Sequence, residues 1–209
     1  DVSNVINMRY MFGEAGYNST TFNLNLSNWN TSSVTNMYGM FNSAGSNATT
    51  WSIGDLSKWD VSSVTNMEYM FYYAGNSATT WNIGDLSNWN TSSVVSMSHM
   101  FHSAGFKVTT WSIGDLSNWD VSSVTNMEYM FYSAGYNSTT FNLNLSNWNT
   151  SSVTNMSYMF DSAGSKATTW SVTIPKTTGS LTNETYKWYG SSSSTYASPN
   201  YGKSFTLAS

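Results

Sequence analysis

A Met-Phe pair returns six times at near-constant spacing: Met11-Phe12, Met40-Phe41, Met70-Phe71, Met100-Phe101, Met130-Phe131 and Met159-Phe160. The steps between pairs are 29, 30, 30, 30 and 29 residues. Self-similarity at this period marks stacked units, none of which buries its own apolar face without a neighbour. The expectation is an elongated array that offers surface, not a globule wrapped around a catalytic cleft.

The unit from Asp60 to Trp89 shows the local pattern. Met67, Met70, Phe71 and Ala74 fall at i, i+3, i+4 and i+7, an apolar stripe at helical spacing. Thr65 and Glu68 have capping-box spacing, as do Thr125 and Glu128. Gly75 stands where a left-handed helix cap belongs, matched by Gly16, Gly45, Gly105, Gly135 and Gly164. A short helix is therefore expected in each unit. Thr79-Thr80-Trp81-Asn82-Ile83 alternates polar with apolar and suits a short strand ending at the Gly84-Asp85 turn. A second parallel strand is expected near Thr31, Val61, Thr91, Val121 and Thr150, two residues after a tryptophan.

Stacking would align equivalent side chains into ladders. One runs through Phe22, Trp51, Trp81, Trp111, Phe141 and Trp170, another through Trp29, Trp59, Trp89, Trp119 and Trp148. Full burial of each such side chain contributes about 1.5–3 kcal/mol before entropy is subtracted. A continuous core thus accounts for most of the Met, Trp and Phe. The reading is an α/β solenoid, a leucine-rich-repeat-like right-handed stack of about six coils, each with a short helix and one or two short parallel strands. The coils are 1–29, 30–59, 60–89, 90–119, 120–148 and 149–172, and 173–209 is a C-terminal capping segment with Phe205 and Leu207 on a closing strand. Asp1-Val2-Ser3 opens in phase with the repeat, so the native chain is expected to continue N-terminally.

Charge narrows the partners. Only 9% of residues are charged, against about 25% in ordinary domains, and seven are basic. No basic stripe exists for nucleic acid or for an anionic membrane surface. No apolar run is long enough to span a bilayer, and without cysteine there is neither a disulfide framework nor a thiolate metal site.

Three rows carry the candidate chemistry. The first is an outward aromatic row, Tyr10, Tyr69, His99, Tyr129 and Tyr158, with Tyr72 and Tyr132 (and Tyr73) beside it. Clustered aromatics among Asn and Ser suit contact with a protein or glycan, although the same rings also serve to cover grooves between coils. The second is the Thr-x-Ser/Asn row, Thr21/Asn23 to Thr169/Ser171, whose hydroxyls suit strand solubility or an ice-binding surface. The third is metal: His99 with His102, or the row Asp55, Asp85 and Asp115. The histidine pair occurs in one coil only, and Asn25 and Asn144 replace the aspartates in the short coils, so no metal or other cofactor is expected. Scattered carboxylates such as Glu14, Asp161 and Glu184 form no acid/base pair, and no nucleophile or phosphate-binding motif occurs.

The phrase Leu-Ser-x-Trp-Asp-Val-Ser-Ser-Val-Thr-Asn-Met-x-x-Met-Phe, at 56–71 and 116–131, resembles the BspA-type leucine-rich-repeat surface proteins, in the branch built on the mycoplasma-type lipoprotein repeat. That resemblance covers 1–172 and implies a secreted or cell-surface protein without enzymatic activity that binds host or neighbouring-cell ligands. The expectation is an extracellular adhesin or ligand-binding display scaffold. A self-associating filament or surface-layer subunit is the alternative, and an ice-binding solenoid the third reading.

Overall fold

The computed structural model describes residues 1–176, 187–191 and 195–209. Part of the 173–209 segment, with Glu184, lies outside them. Among the described residues there are seven short strands: β1 (Thr21–Asn23), β2 (Thr50–Ser52), β3 (Thr140–Asn144), β4 (Thr169–Ile174), β5 (Trp188–Tyr189), β6 (Tyr196–Ala197) and β7 (Thr206–Leu207). They form three small sheets. β1 pairs with β2 in parallel, β3 with β4 and β4 with β7 likewise, and β5 with β6 antiparallel.

The α/β solenoid with a helix in each coil is not what the chain forms: no helix occurs among the described residues. The segment expected to be helical is a run of turns, and its backbone shows why. Tyr69, Tyr73 and Gly75 have φ of 57°, 53° and 51°, left-handed values that interrupt any α-helix. The N–H groups of Met67, Tyr69, Phe71 and Tyr73 donate to the carbonyls of Ser96, Ser98, Met100 and His102 in the next repeat. Those of Met70, Tyr72 and Ala74 instead close turns onto residues three back. Alternate amides therefore point sideways, where a helix would direct every amide along its own axis. The capping box fails for the same reason: Asn66 Oδ1 accepts from the Glu68 N–H at 2.9 Å, and Thr65 Oγ–H donates to Thr35 O. Gly75 is left-handed as expected, but it ends a turn.

The second expected strand is also absent. Turns follow each tryptophan, and the repeats bridge seven residues after it, through the parallel pairs Asn7–Asn36, Asn36–Asn66, Asn66–Ser96, Ser96–Asn126 and Asn126–Asn155. The strand expected at Thr79–Ile83 has counterparts in the first, second, fifth and sixth repeats, yet neither it nor Thr110–Ile113 is a strand.

The core matches the apolar pattern regardless of backbone type. Met67, Met70, Phe71 and Ala74 are fully buried, as are their equivalents from the second repeat to the sixth. Phenylalanine rings stack from repeat to repeat, with centroids 5.3–5.6 Å apart from Phe12 to Phe160. The tryptophan after each Leu-Ser-x does more than fill space. Trp59, Trp89, Trp119 and Trp148 each donate an indole N–H to the carbonyl of Leu26, Leu56, Leu86 or Leu116 in the preceding repeat, at 2.8–3.0 Å. Gly84 (φ 86°) lies over the Asp55 carboxylate, and an added Cβ would stand 1.9 Å from Asp55 Oδ1. Only glycine meets both demands there.

At the C-terminal end, Trp188 is fully buried and packs on Trp148 at 6.5 Å. Phe205 sits against Phe160 and Trp170, and β7 extends the sheet of β4 with Leu207 exposed.

Candidate functional site

The outward aromatic row occupies left-handed corners of the chain. Tyr10, Tyr69, His99, Tyr129 and Tyr158 have φ of 52–57°, a conformation that costs a non-glycine residue roughly 1–2 kcal/mol. Main-chain bonds to the next repeat hold each of the first four corners: Tyr10 N–H donates to Tyr38 O, Tyr69 N–H to Ser98 O, His99 N–H to Glu128 O and Tyr129 N–H to Ser157 O. With the corners fixed, the side chains line up.

The result is a ribbon of rings. Centroids lie 4.6 Å apart for Tyr69–His99, 4.8 Å for His99–Tyr129 and 4.9 Å for Tyr129–Tyr158, with planes within 8–14° of parallel. Tyr72, His102 and Tyr132 form a second file, with His102 between its neighbours at 4.8 and 4.6 Å. Tyr69–Tyr72 and Tyr129–Tyr132 make edge contacts at 5.4 Å. All seven candidate residues thus share one surface. Tyr10 and Tyr158, at its ends, are about half exposed.

Two members were missed. In the second repeat Gly39 holds the column position, where a Cβ would strike the Tyr10 ring at 2.6 Å. Tyr38, one residue earlier, supplies the ring instead, 5.3 Å from Tyr10 and 5.5 Å from Tyr69. A Tyr-Gly where other repeats carry x-Tyr was the available signal. The other is Arg9, whose guanidinium lies 4.8 Å from the Tyr38 ring centre and 5.5 Å from that of Tyr10.

The electrostatics of the ribbon are those of a partly dry, negative surface. Burial, and then the Tyr10 hydroxyl, push the Tyr38 phenol up to about 12. Burial, followed by Glu68 and Glu128, raises Tyr69, and burial raises Tyr72. Burial lowers His99 against the pull of Glu68, while burial and His99 together take His102 down to about 4. Both imidazoles are therefore neutral near pH 7.

His99 Nδ1 and His102 Nδ1 are 3.0 Å apart, with ring centres 5.2 Å apart and planes 16° from parallel. That centre distance holds little more than the gap and two ring radii, so the nitrogens face each other head-on. One imidazole N–H donates to the other's lone pair. A shared ion would need both lone pairs to converge on a point about 2.0–2.1 Å from each nitrogen, and here they oppose. Among the described residues no group of three or more His, Asp or Glu forms a metal cluster. Asp55, Asp85 and Asp115 each accept the N–H of the serine two residues on, which is turn chemistry.

The threonine row is exposed, and its members pair in register at Thr21–Thr50 and Thr140–Thr169. The two middle repeats, without strands, interrupt it. An open groove of about 730 Å³ lies at the C-terminal end of that face, lined by Asp115, Asn142, Asn144, Thr173 and Leu207 among others. No helix of the described residues is long and apolar enough to cross a membrane.

The family model described as "Mycoplasma protein of unknown function, DUF285" matches residues 1–105 and 75–188. No curated protein and no solved structure matches the chain.

Proposed function

We propose that this chain, which belongs to the DUF285 family of Mycoplasma proteins of unknown function, is a non-enzymatic display scaffold at the cell surface or outside it. Its Tyr/His ribbon is the contact face for a protein or glycan of a host or neighbouring cell. The single observation behind this reading is the ribbon itself, a continuous surface of rings held at strained corners by main-chain bonds. Kinship with BspA-type surface proteins is part of the proposal. It rests on the repeated Trp-Asp-Val-Ser-Ser-Val-Thr-Asn-Met phrase, not on a leucine-rich-repeat backbone, which these helix-free repeats lack.

Stacking also bears on how the face would bind. In the column from Tyr69 to Tyr158, neighbouring rings cover one another's faces. What remains for a ligand is ring edges and phenol hydroxyls, which suit hydrogen bonding better than the flat stacking of a sugar on an aromatic face. The Tyr69→Ala/Tyr129→Ala variant is expected to lose binding to target cells or to an extracellular-matrix array by roughly tenfold or more, the scale of contact hot spots. Unchanged binding, with the circular dichroism spectrum preserved, would remove the ribbon from consideration.

A second reading, a filament or surface-layer subunit, draws on the exposed Ile6 and Met11 of the first repeat. Light scattering separates the two: a monomer at high concentration favours the adhesin, ordered fibres the filament.

A further inference from the structure

The carboxylates of this chain divide by role. Asp1, Asp55, Asp60, Asp85, Asp115 and Asp120 each accept a main-chain N–H two residues on, and so build turns. The other acids among the described residues are Glu14, Glu68, Glu128 and Asp161, and all four border the aromatic ribbon. Glu68 and Glu128 precede Tyr69 and Tyr129 in the chain and both bear on the Tyr69 hydroxyl. Asp161 bears on Tyr129, and Glu14 shares a cavity of about 320 Å³ with Tyr10. Among the described residues, the only cation on a ribbon ring is Arg9, whose guanidinium lies over Tyr38.

We infer that the ribbon is a docking surface for a basic segment of a partner protein, with arginine side chains set against Glu68 and Glu128 and along the tyrosine edges. This rests on the proposed contact role of the ribbon and adds the chemistry of its partner. Charge complementarity is the first argument. In a protein with 9% charged residues, carboxylates without a turn to build gather at one face. Their field favours a cation there, steers its approach and is screened by salt. The second argument is Arg9, whose planar guanidinium already lies over the Tyr38 ring of this ribbon, 4.8 Å from its centre. Of the carboxylates, Glu68 accepts from Ser96 Oγ–H and is thereby oriented.

Binding of a nona-arginine peptide, read by fluorescence anisotropy at low and physiological salt, tests the inference. Because any acidic protein attracts such a peptide, the control must remove equal charge elsewhere. Asp55→Asn/Asp85→Asn does so with little structural risk, since Asn25 and Asn144 already fill that position in other repeats. The expected result is a loss of roughly threefold or more for Glu68→Gln/Glu128→Gln, the scale of two exposed ion pairs, little change for the aspartate control, and weaker binding of nona-lysine. Equal loss in both variants would mean non-specific attraction and would overturn the inference. So would a glycan or neutral peptide that binds in a ribbon-dependent way while nona-arginine does not, an outcome that leaves the contact role standing. If Tyr69→Ala/Tyr129→Ala also leaves cell binding intact, the contact role falls with it.

Discussion

The His99–His102 contact is a hydrogen bond with one proton between the facing Nδ1 atoms, and it is lost when both imidazoles are protonated. Tyr69, Tyr72, Tyr73, Tyr129 and Tyr132 surround it, and Glu68 is the carboxylate whose charge reaches His99. Burial keeps the folded-state value of His102 near 4, below its ordinary 6.5, and lowers His99 as well. Between those values the unfolded chain binds more protons than the folded one, so stability rises with pH across the window. Read downward, stability is full above about pH 6.5 and is lost as pH falls toward 4. Below that, four carboxyls held below their ordinary range lose their own contribution. Serine hydroxyl and then N–H bonds lower Asp60 and Asp120, a serine N–H and then its hydroxyl lower Asp55, and against the opposing effect of burial the same groups of Ser117 lower Asp115. Melting temperature should drop between pH 6.5 and 4 by at least the 2–4 °C or so that 1 kcal/mol produces in a chain of this size. The flanking repeats carry Tyr-Tyr at the equivalent positions, so His99→Tyr/His102→Tyr should fold and lose that slope. A slope that survives in this variant would place the acid sensitivity elsewhere.

At the scale of the element, strand formation goes with indole hydrogen bonding in one ladder, that of Trp51, Trp81, Trp111 and Trp170. In the second and sixth repeats, which have strands, Trp51 and Trp170 donate to the carbonyls of Ala44 and Ala163 within their own repeat. In the third and fourth, which lack them, the buried Nε1 atoms of Trp81 and Trp111 have no partner. An unpaired buried donor already bears its desolvation cost, so its removal is cheap, whereas loss of a made bond is not. Trp81→Phe leaves a gap among stacked rings but loses no bond, so it should cost about 1 kcal/mol less than Trp89→Phe. Trp89→Phe should cost roughly 1–3 kcal/mol, because it loses the bond to Leu56 O and leaves a gap among the stacked indoles. Urea titrations of the two variants decide the matter, and equal losses would refute the assignment. The same comparison shows what the sequence could and could not reveal. Met67, Met70, Phe71 and Ala74 announced their burial, since apolar spacing selects one side of the chain. That spacing fits a helix and a run of alternating turns equally well. The choice was made by amides that bond to the next repeat and by left-handed Tyr69 and Tyr73, and neither is encoded as a period. The ribbon was legible as a row of equivalent positions. Tyr38 was legible only through the Tyr-Gly of its repeat, because its ring enters the column from one residue out of register.

For the molecule as a whole, cohesion comes from neighbour meeting neighbour. Backbone bonds between repeats, the bridges at Asn36, Asn66, Ser96 and Asn126, and the indole bonds all join partners about one repeat apart. Stability is then close to a sum of units and interfaces, and whole units should be removable. Excision of 90–119 would join Trp89 to Asp120 and offer Met67 N–H the carbonyl of Asn126 in place of that of Ser96, with Tyr129 following Tyr69 in the ribbon. This shortened chain should fold cooperatively, with a denaturant m-value reduced roughly in proportion to the residues removed. It should also lose the acid sensitivity between pH 6.5 and 4, since both histidines go. Excision of 90–104, half a unit, removes the same histidines but sets turns against tryptophans and breaks every register downstream, so it should unfold the C-terminal repeats. Circular dichroism melts and urea curves of the two deletions provide the comparison. If the full-unit deletion is as unfolded as the half-unit one, the repeats are not interchangeable, and their cohesion depends on contacts beyond nearest neighbours.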